Sequence, residues 1–212
     1  GPRGRAVKLI LVRHGESEWN RELRIQGQSN SELTAHGILQ AKTVAEALAD
    51  EPIHAIYSSD LTRAVATARI IAVPHAVEPI LDPRLREMSF GKLEGRTWEE
   101  IREAHPDVKA ALQSGQPDFP MPGGGESRDD LVKRARDVTD DIAVRYPDHT
   151  ILAVTHGGLI SWFTRYVLGI PRGVPLRMRP DNCAIHRFEL YELGWHLRTF
   201  NERAHLPVAP TT

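Results

Sequence analysis

Residues 7–12 (VKLILV) restrict the fold of this chain more than any other segment. The run is almost entirely apolar and rich in β-branched residues, which predicts a strand buried on both faces, as in parallel sheets. Residues 150–154 (TILAV) show the same pattern. A sheet built on two such strands needs helices on both of its faces.

Helical and strand-like segments alternate along the rest of the chain. Apolar spacing and caps such as Thr34 predict helices over residues 33–48 and 60–71, from 97, from 127 to the residue before Pro147, and over 158–168. Further strands are expected at residues 55–57, 77–81, 184–191 and 195–200, and the Gly/Pro-rich segment 114–125 is expected to be a loop.

This alternation predicts an α/β fold, a three-layer sandwich in which helices flank a mainly parallel sheet. The last two strands, joined by a turn at Gly194, form an edge hairpin near the C-terminus. No repeat or domain-sized linker interrupts residues 1–212. We therefore expect one domain, with flexible ends at 1–6 and 207–212.

The bulk composition excludes several classes of function. A formal net charge of -1 gives no electrostatic basis for binding nucleic acid or an anionic membrane. No apolar run approaches the roughly 20 residues of a transmembrane helix. The single cysteine, Cys183, excludes an internal disulfide and fits a reducing compartment, so we expect a cytoplasmic protein without a signal peptide.

Charged and polar side chains follow the predicted strands where the strands end. They occur at residues 13–16 (RHGE), 58–63 (SSDLTR), 86–87 (RE) and 155–158 (THGG). Because parallel strands end at the same edge of a sheet, we expect His14, Arg63, Glu87 and His156 to lie close together there.

This set of residue types suits the chemistry of a phosphate ester. Arginine binds two phosphate oxygens with its planar fork and stays charged. A neutral imidazole can attack phosphorus, and nearby cations keep it neutral. A carboxylic acid can protonate the departing alcohol.

Each residue also has a purely structural interpretation. An Arg-His-Gly triplet alone is a weak signal. His156 could pack under a helix start, Glu87 could be a surface acid, and Arg63 could pair with Asp60 at i, i+3. Their joint position at strand ends favours the catalytic interpretation.

Residues 11–20 (LVRHGESEWN) resemble the signature of the histidine phosphatase superfamily, which includes the cofactor-dependent phosphoglycerate mutases. The resemblance continues in family order along nearly the whole chain, at 24–27, 33–37, 58–64, 85–87, 125–127, 155–158, 182–183 and 201–206.

The resemblance implies a role for each matching residue. His14 is the phosphorylated nucleophile and Glu87 the proton donor. The remaining residues bind the phosphate or the substrate: Arg13, Asn20, Gln26, Gly27, Arg63, His156 and Gly157. The family uses no metal and no organic redox cofactor. Gln28 and Asn30 depart from the pattern and are expected to line the substrate mouth.

The resemblance favours a phosphomonoesterase over a phosphoglycerate mutase-type phosphotransferase, which stays as the alternative. A mutase needs extra cations over its pocket, but residues 105–125, a possible lid, contain only Lys109 among Lys and Arg. Residues 88–95 also look like the phosphatase members. The expected partner is a small-molecule phosphate ester, bound by a monomer or a homodimer.

Two other classes of protein fit the sequence less well. A metal-dependent hydrolase lacks support because no HExxH or similar ligand spacing occurs. A catalytically inactive binding protein of the same fold is disfavoured because every core position of the family pattern is filled.

The remaining histidines and aromatic residues have no predicted role in the reaction. We expect solvated histidines at positions 36, 54, 75, 105, 149 and 196, a packed His186 and a buried, inert Cys183. The tryptophans are expected to serve packing, with Trp19 close enough to His14 to shape the mouth.

Overall fold

A computed structural model describes residues 6–208 of the chain. The flexible ends expected at 1–6 and 207–212 fall outside the described residues, except for residues 6, 207 and 208. Within the described range, no helix has both the length and the apolar character needed to cross a bilayer.

The strands of residues 6–208 form one sheet in the order β3-β2-β4-β1-β5-β6. They are β1 (Val7–Arg13), β2 (Ala55–Ser58), β3 (Ile80–Leu81), β4 (Thr150–Thr155), β5 (Ile185–Tyr191) and β6 (Gly194–Glu202). The first four strands in this order are parallel, whereas β5 runs antiparallel to β1 and β6 to β5. The mainly parallel sheet and the edge hairpin are thus confirmed.

The helices of this range are α1 (Glu18–Arg21), α2 (Ala35–Leu48), α3 (Thr62–Ala72), α4 (Trp98–Ala104), α5 (Pro106–Gln113), α6 (Arg128–Arg145) and α7 (Gly157–Val167). Thr34 caps α2 as predicted, accepting a hydrogen bond from the Gly37 N–H at 3.0 Å. Capping boxes begin α4 and α6 at Thr97 and Ser127.

Several predicted boundaries were wrong. The third strand shrinks from residues 77–81 to Ile80–Leu81, because Pro79 offers no N–H for a ladder. Helix α3 starts at Thr62 and not at residue 60. The one-turn helix α1 is too short to show a periodic pattern, and it was missed. Pro106 ends α4 and opens α5 as its first residue, which the sequence had not resolved.

The sheet separates two hydrophobic cores, as expected of a three-layer sandwich. Leu9 and Leu11 of β1 belong to the core that includes side chains of α6 and α7, whereas Ile10 and Val12 belong to the core built with α2 and α3. This alternation requires apolar residues at consecutive positions of β1, which explains its unbroken apolar run.

Neighbouring strands β1 and β4 place the two histidines of the predicted site side by side. They pair in parallel with Arg13 opposite Thr155, so His14 and His156 follow at adjacent positions of the same sheet edge. The His14 N–H also donates to the Thr155 carbonyl at 3.0 Å, which continues the ladder into the site.

Candidate active site

His14 lies just beyond the carboxyl end of β1 and is 2% exposed. Its Nδ1 is 2.7 Å from the carbonyl oxygen of Gly15, which can only accept, so the ring proton is assigned to Nδ1 and Nε2 keeps its lone pair. Burial, and then the positive charges of Arg63 and Arg13, hold the pKa of His14 well below the usual 6.5. The ring is therefore neutral near pH 7.

Arg13 and Arg63 are held by backbone carbonyl groups instead of carboxylates. Arg13 Nη1 donates to Pro180 O at 2.7 Å, and Arg63 donates from Nη1 to Ser29 O and from Nη2 to Gly27 O at 2.6 and 2.7 Å. Both Nε atoms are buried and have no hydrogen-bond partner within the described part of the chain. Burial is the main cause that lowers the pKa of Arg63 to about 10, so it remains charged near pH 7. Two cations without a bound carboxylate make this a place for an anion.

His156 is fully buried beside His14, with the ring centroids 5.1 Å apart. Its Nε2 lies 2.8 Å from Ser59 Oγ, which accepts from the Leu61 N–H at 3.3 Å. The hydroxyl proton of Ser59 is thus free to point at Nε2, which favours a ring proton on Nδ1. That Nδ1 is buried and lacks a partner among residues 6–208. Burial, followed by the charge of Arg63, lowers the pKa of His156 well below 6.5.

Glu87 faces the first turn of α7. Its Oε2 accepts from the Gly158 N–H at 3.0 Å, and its Oε1 from the Met88 N–H at 2.9 Å. Arg134 donates to the backbone carbonyl of Glu87 at 3.1 Å, so the backbone of this residue is held as well as its carboxylate. A Cβ added to Gly158 would lie 2.2 Å from Glu87 Oε1, so only glycine leaves room for the carboxylate.

Asn20 and Gln26 line the cavity, and their side-chain oxygens accept hydrogen bonds from neighbouring residues. Asn20 Oδ1 accepts from the Ser17 N–H and from Asn182 Nδ2, at 3.1 and 3.2 Å. Gln26 Oε1 accepts from the hydroxyls of Ser17 and Ser31, at 2.8 and 2.7 Å. Because the oxygens are occupied, each amide keeps its NH₂ group as a donor without a partner in the described residues.

These groups surround one cavity of about 510 Å³. Its wall contains Arg13, His14, Asn20, Gln26, Gly27, Arg63, Glu87 and Gly157, all of which the sequence predicted. His156 is not among the lining residues, although its ring centroid lies 5.1 Å from that of His14. The segment 105–125 does not line the cavity either, so it forms no lid over the site in this structure.

The rim of the cavity differs from the prediction. It is formed by Leu23, Arg24, Ile25, Phe90, Trp98, Ser161, Leu176, Met178, Arg179 and Pro180. Trp98, not Trp19, is the tryptophan at the mouth, and it is 38% exposed. Gln28 and Asn30 do not line the cavity: Gln28 Nε2 donates to the Glu87 carbonyl at 3.2 Å, and Asn30 Oδ1 accepts from the Thr62 N–H at 3.1 Å.

Two residues of the site were missed by sequence reasoning as participants. Asn182 lines the cavity and donates to the His14 carbonyl at 2.9 Å. Gly158 donates to Glu87. Both occur in the motifs that carry the family resemblance. Apart from that, the sequence marked them only by position: Gly158 follows the predicted strand 150–154, and Asn182 precedes the C-terminal hairpin.

The structural interpretation of Arg63 as a partner of Asp60 was wrong. Asp60 instead makes a two-pronged ion pair with Arg86, at 2.6 and 2.7 Å. The side-chain hydrogen bond from Arg86 is the main cause that lowers the pKa of Asp60. Arg63 forms no ion pair with a carboxylate among residues 6–208.

The residues expected to be inert are mostly so. His186 is fully buried, packs on Phe200 and accepts from the Asn201 N–H at 3.0 Å, and Cys183 is fully buried. His54, His149 and His196 are exposed as predicted, although His54 stacks on the His149 ring. The histidines at positions 36, 75 and 105, which were also expected to be solvated, are half-buried.

Comparison with known proteins gives a family match that covers the site. A model of the histidine phosphatase superfamily (branch 1) matches residues 9–203. No group of three or more His, Cys, Asp or Glu side chains in the described range could hold a metal ion.

Individual relatives carry two kinds of name. A metal-independent phosphoserine phosphatase of Arabidopsis thaliana is 36% identical over 94% of this chain and 83% of its own length. A probable phosphoglycerate mutase GpmB of Proteus mirabilis is 38% identical over 94% and 95%. A mutant phosphoserine phosphatase of Entamoeba histolytica, solved with phosphoserine, superposes with a TM-score of 0.86 at 32% identity, over 95% of this chain and all of that one.

Proposed function

The chain belongs to the histidine phosphatase superfamily, and we propose that it hydrolyses a small phosphomonoester through a phosphohistidine intermediate on His14. One observation carries the proposal. The neutral ring of His14, with its Nε2 unprotonated, shares a cavity with Arg13 and Arg63, two cations that form no ion pair with a carboxylate in the described residues. An attacking nitrogen and an anion site in one cavity suit phosphoryl transfer.

In the first step, Nε2 of His14 attacks phosphorus and the bond to the alcohol oxygen breaks. Arg13 and Arg63 balance the charge of the transferred oxygens, and Nδ1–H of His156 and the amides of Asn20 and Gln26 add donors. The donor role of His156 is supported by its ring, whose centroid lies 5.1 Å from that of His14, and by its Nδ1, which has no partner in the described residues. The Gly15 carbonyl stabilises the ring as positive charge develops on it.

Glu87 gives its proton to the leaving alcohol oxygen. The proton is taken up as substrate binds, because a phosphate dianion beside a carboxylate disfavours two negative charges at short range. In the second step water attacks phosphorus, Glu87 takes back a proton from it, and the bond to His14 Nε2 breaks. Inorganic phosphate leaves, Glu87 releases to solvent the proton that it took from the water, and the starting state is restored.

Neither step calls for a metal ion or an organic cofactor. The charge that a metal would supply comes from the two buried arginines, and the proton transfers are assigned to Glu87. The expectation of a metal-independent enzyme agrees with the name of the Arabidopsis thaliana relative.

A mutase remains the second candidate, because several relatives are named probable phosphoglycerate mutases. A mutase must keep water away from the phosphohistidine while it returns the phosphoryl group. The cavity has an open rim, and residues 105–125, which contain only Lys109 among Lys and Arg, do not line it. These features favour transfer to water.

The test combines labelling with turnover. Enzyme quenched in base during turnover of a ³²P-labelled monoester is expected to carry an acid-labile, base-stable label, and His14→Ala to carry none, with the exposed His196→Ala as the matched control. The proposal fails if wild-type enzyme turns over without ever labelling.

A panel of phosphomonoesters, assayed with EDTA and with or without 2,3-bisphosphoglycerate, separates the alternatives. We expect phosphate release that EDTA does not reduce and that 2,3-bisphosphoglycerate does not stimulate. Isomerisation of phosphoglycerates that depends on 2,3-bisphosphoglycerate would instead establish the mutase. Activity that is lost in EDTA and restored by a divalent ion would overturn the metal-free mechanism.

A further inference from the structure

Glu94 does not line the cavity, but its carboxylate holds a turn of the cavity wall. Its Oε2 accepts from the Gln28 N–H at 3.1 Å and from the Phe90 N–H at 3.0 Å. Its Oε1 accepts from Ser29 Oγ at 2.6 Å. Within the part of the chain that the structure describes, Glu94 forms no ion pair. Its negative charge is therefore directed at the turn of residues 27–29.

The turn that Glu94 holds is the one that holds Arg63. Arg63 Nη2 donates to Gly27 O at 2.7 Å, and Nη1 donates to Ser29 O at 2.6 Å. The Gly27 carbonyl and the Gln28 N–H belong to one peptide group. That planar unit joins the guanidinium to the Glu94 carboxylate. Ser29 makes a second connection, because its carbonyl accepts from Arg63 and its hydroxyl donates to Glu94.

This arrangement lets Glu94 balance the charge of Arg63 without contacting it. Arg63 is 1% exposed, and a buried charge without compensation is costly. A peptide group between a carboxylate and a guanidinium is polarised, which strengthens the hydrogen bonds at both ends. Burial is the main cause that lowers the pKa of Arg63, and Glu87 and Glu94 both oppose it. Of these two acids, Glu94 is the one that takes no part in the proposed proton transfers.

The position of Glu94 is itself fixed by the backbone. The Gly95 N–H donates to Ile25 O at 2.7 Å, and the Ile25 N–H donates to Arg96 O at 2.8 Å. The segment that carries Glu94 thus pairs with the segment just before the turn. Gly27 has a φ of +53°, and a Cβ there would lie 2.2 Å from Glu94 Oε2. Glycine at position 27 therefore leaves space for the carboxylate.

We propose that Glu94 is a positioning residue for the phosphate site, which orients Arg63 and supplies its counter-charge through the peptide group between Gly27 and Gln28. Glu94 contacts neither the substrate nor the reacting atoms. A carboxylate in direct contact with Arg63 would compete with the phosphate, whereas one behind a peptide group leaves the guanidinium available to an anion. The inference rests on the proposed function, because it takes Arg63 to bind the phosphate.

The first test measures the Kd of inorganic phosphate by calorimetry, which requires no turnover. Glu94→Gln keeps the size of the side chain, removes its charge and places an NH₂ group among N–H donors. We expect its Kd to lie about 10-fold above that of wild type, the size of one charge-assisted hydrogen bond. Glu192→Gln, at an exposed position in the turn of the C-terminal hairpin, is the matched control and should bind phosphate as wild type does.

A double-mutant cycle on an aryl phosphate shows whether Glu94 acts through Arg63. Glu94→Gln should lower kcat/KM about 10-fold in wild type and in the Arg13→Ala background. In the Arg63→Ala background it should lower kcat/KM less than about 2-fold, because the group that Glu94 positions is gone. A purely structural role predicts the same loss in all three backgrounds, and that result would overturn the proposal.

The leaving group separates an effect on Arg63 from an effect on Glu87. Arg63 is assigned to the phosphate, so Glu94→Gln should lower kcat/KM by the same factor on an alkyl phosphate and on p-nitrophenyl phosphate. The Phe90 N–H, which also donates to Glu94, lies only three residues after Glu87. A larger loss on the alkyl phosphate would show that the substitution acts through the proton donor, and the proposal would be wrong.

Ser29→Ala serves as a second variant if Glu94→Gln does not fold, as judged by thermal unfolding. It removes one contact of Glu94 and keeps the backbone carbonyl that accepts from Arg63. Its Kd for phosphate should rise about 3-fold, the size of one neutral hydrogen bond. A Kd equal to that of wild type in Ser29→Ala and in any folded Glu94→Gln would overturn the role of Glu94.

The outcomes distinguish this inference from the proposed function. If wild-type enzyme neither hydrolyses an aryl phosphate nor binds inorganic phosphate, the proposed function fails and the inference falls with it. If it binds phosphate without hydrolysing any monoester, the proposed function fails, and the Kd values alone decide the role of Glu94. If it hydrolyses aryl phosphate but the variants bind phosphate as wild type does, the phosphatase stands and the inference is wrong.

Discussion

At the scale of single residues, the site depends on which atoms already have partners. Arg13 and Arg63 donate from Nη atoms to backbone carbonyls, and their Nε atoms have no partner in the described residues. His14 uses Nδ1 in a hydrogen bond to the Gly15 carbonyl, so its Nε2 lone pair stays available. The carbonyl contacts orient each group without neutralising its charge. A carboxylate in the same place would orient the arginines equally well but would compete with the phosphate.

Arg13→Lys tests whether the shape of the guanidinium matters. Lysine keeps the positive charge but cannot reach Pro180 O and a phosphate oxygen at once. We expect kcat/KM on an aryl phosphate to fall by about 10²-fold or more, the cost of one misplaced oxyanion-type donor. Steady-state assays of this variant beside Arg177→Lys, a loop arginine away from the cavity, provide the comparison. Activity near that of wild type would mean that Arg13 does not contact the phosphate.

Glu87→Gln tests proton donation. An alkoxide leaving group needs a proton as the bond breaks, whereas a nitrophenolate leaves with little help. The substitution should therefore cost far more kcat/KM on an alkyl phosphate than on p-nitrophenyl phosphate. Glu192→Gln, at an exposed position, serves as the control. Equal losses on both substrates would remove Glu87 from the role of acid and leave it only a structural one.

At the scale of secondary structure, strand ends and one helix start position these groups. β1 and β4 deliver the two histidines, and the first turn of α7 presents the Gly158 N–H to Glu87 at 3.0 Å. Helix α7 begins there without a side-chain cap, so its free N–H groups favour a negative charge at this point. The same turn approaches Arg13: a Cβ on Gly157 would lie 3.3 Å from Arg13 Nε.

Gly158→Ala tests the contact between the first turn of α7 and the Glu87 carboxylate. The new methyl group would lie 2.2 Å from Glu87 Oε1, so the carboxylate has to move. We expect kcat/KM of Gly158→Ala to fall more on alkyl than on aryl phosphates, as in Glu87→Gln, although glycine itself has no side chain that could take part in the reaction. Gly173→Ala is the control, because its Cβ would meet only Gly115 O, at 3.9 Å. Unchanged kcat/KM on alkyl phosphates in Gly158→Ala would show that this position of Glu87 is not needed.

At the scale of the whole molecule, three buried histidines link the stability of the fold to pH. Burial lowers the pKa of His186 to about 4, and it is the first cause that lowers the pKa of His14 and His156. Below pH 6.5 the unfolded chain therefore binds protons that the folded chain does not. The free energy of unfolding falls as the pH falls from 6.5, by about 1.36 kcal/mol per pH unit for each group.

This prediction is checked by urea unfolding between pH 7.5 and 5.5. Asp60 and Asp82, whose lowered pKa values also link stability to pH, act at lower pH because their unfolded value is 3.8. His186→Gln should reduce the slope of the free energy of unfolding against pH, below pH 6.5, by the contribution of one group, about 1.36 kcal/mol per pH unit. A free energy of unfolding that is flat over this range in wild-type protein would contradict the neutral, buried state of these histidines.

The sequence by itself determined the α/β class and the mainly parallel sheet, and the family resemblance named eight of the residues that line the cavity. It could do so because the relevant signals are local: unbroken apolar runs at residues 7–12 and 150–154, caps such as Thr34, and polar residues directly after strands. Short elements escaped, since the four residues of α1 cannot display a period and Pro79 shortens β3.

Only the tertiary structure decided which groups of the site are free. That Asp60 pairs with Arg86 and leaves Arg63 without an ion pair to a carboxylate in the described residues depends on segments more than twenty residues apart in sequence. The same holds for the rim, where Trp98 of α4 and Arg179 of the loop before β5 both line the cavity, and for His156, which is not among the lining residues. Long-range packing selects partners from many candidates of equal local propensity, and no short pattern records that choice.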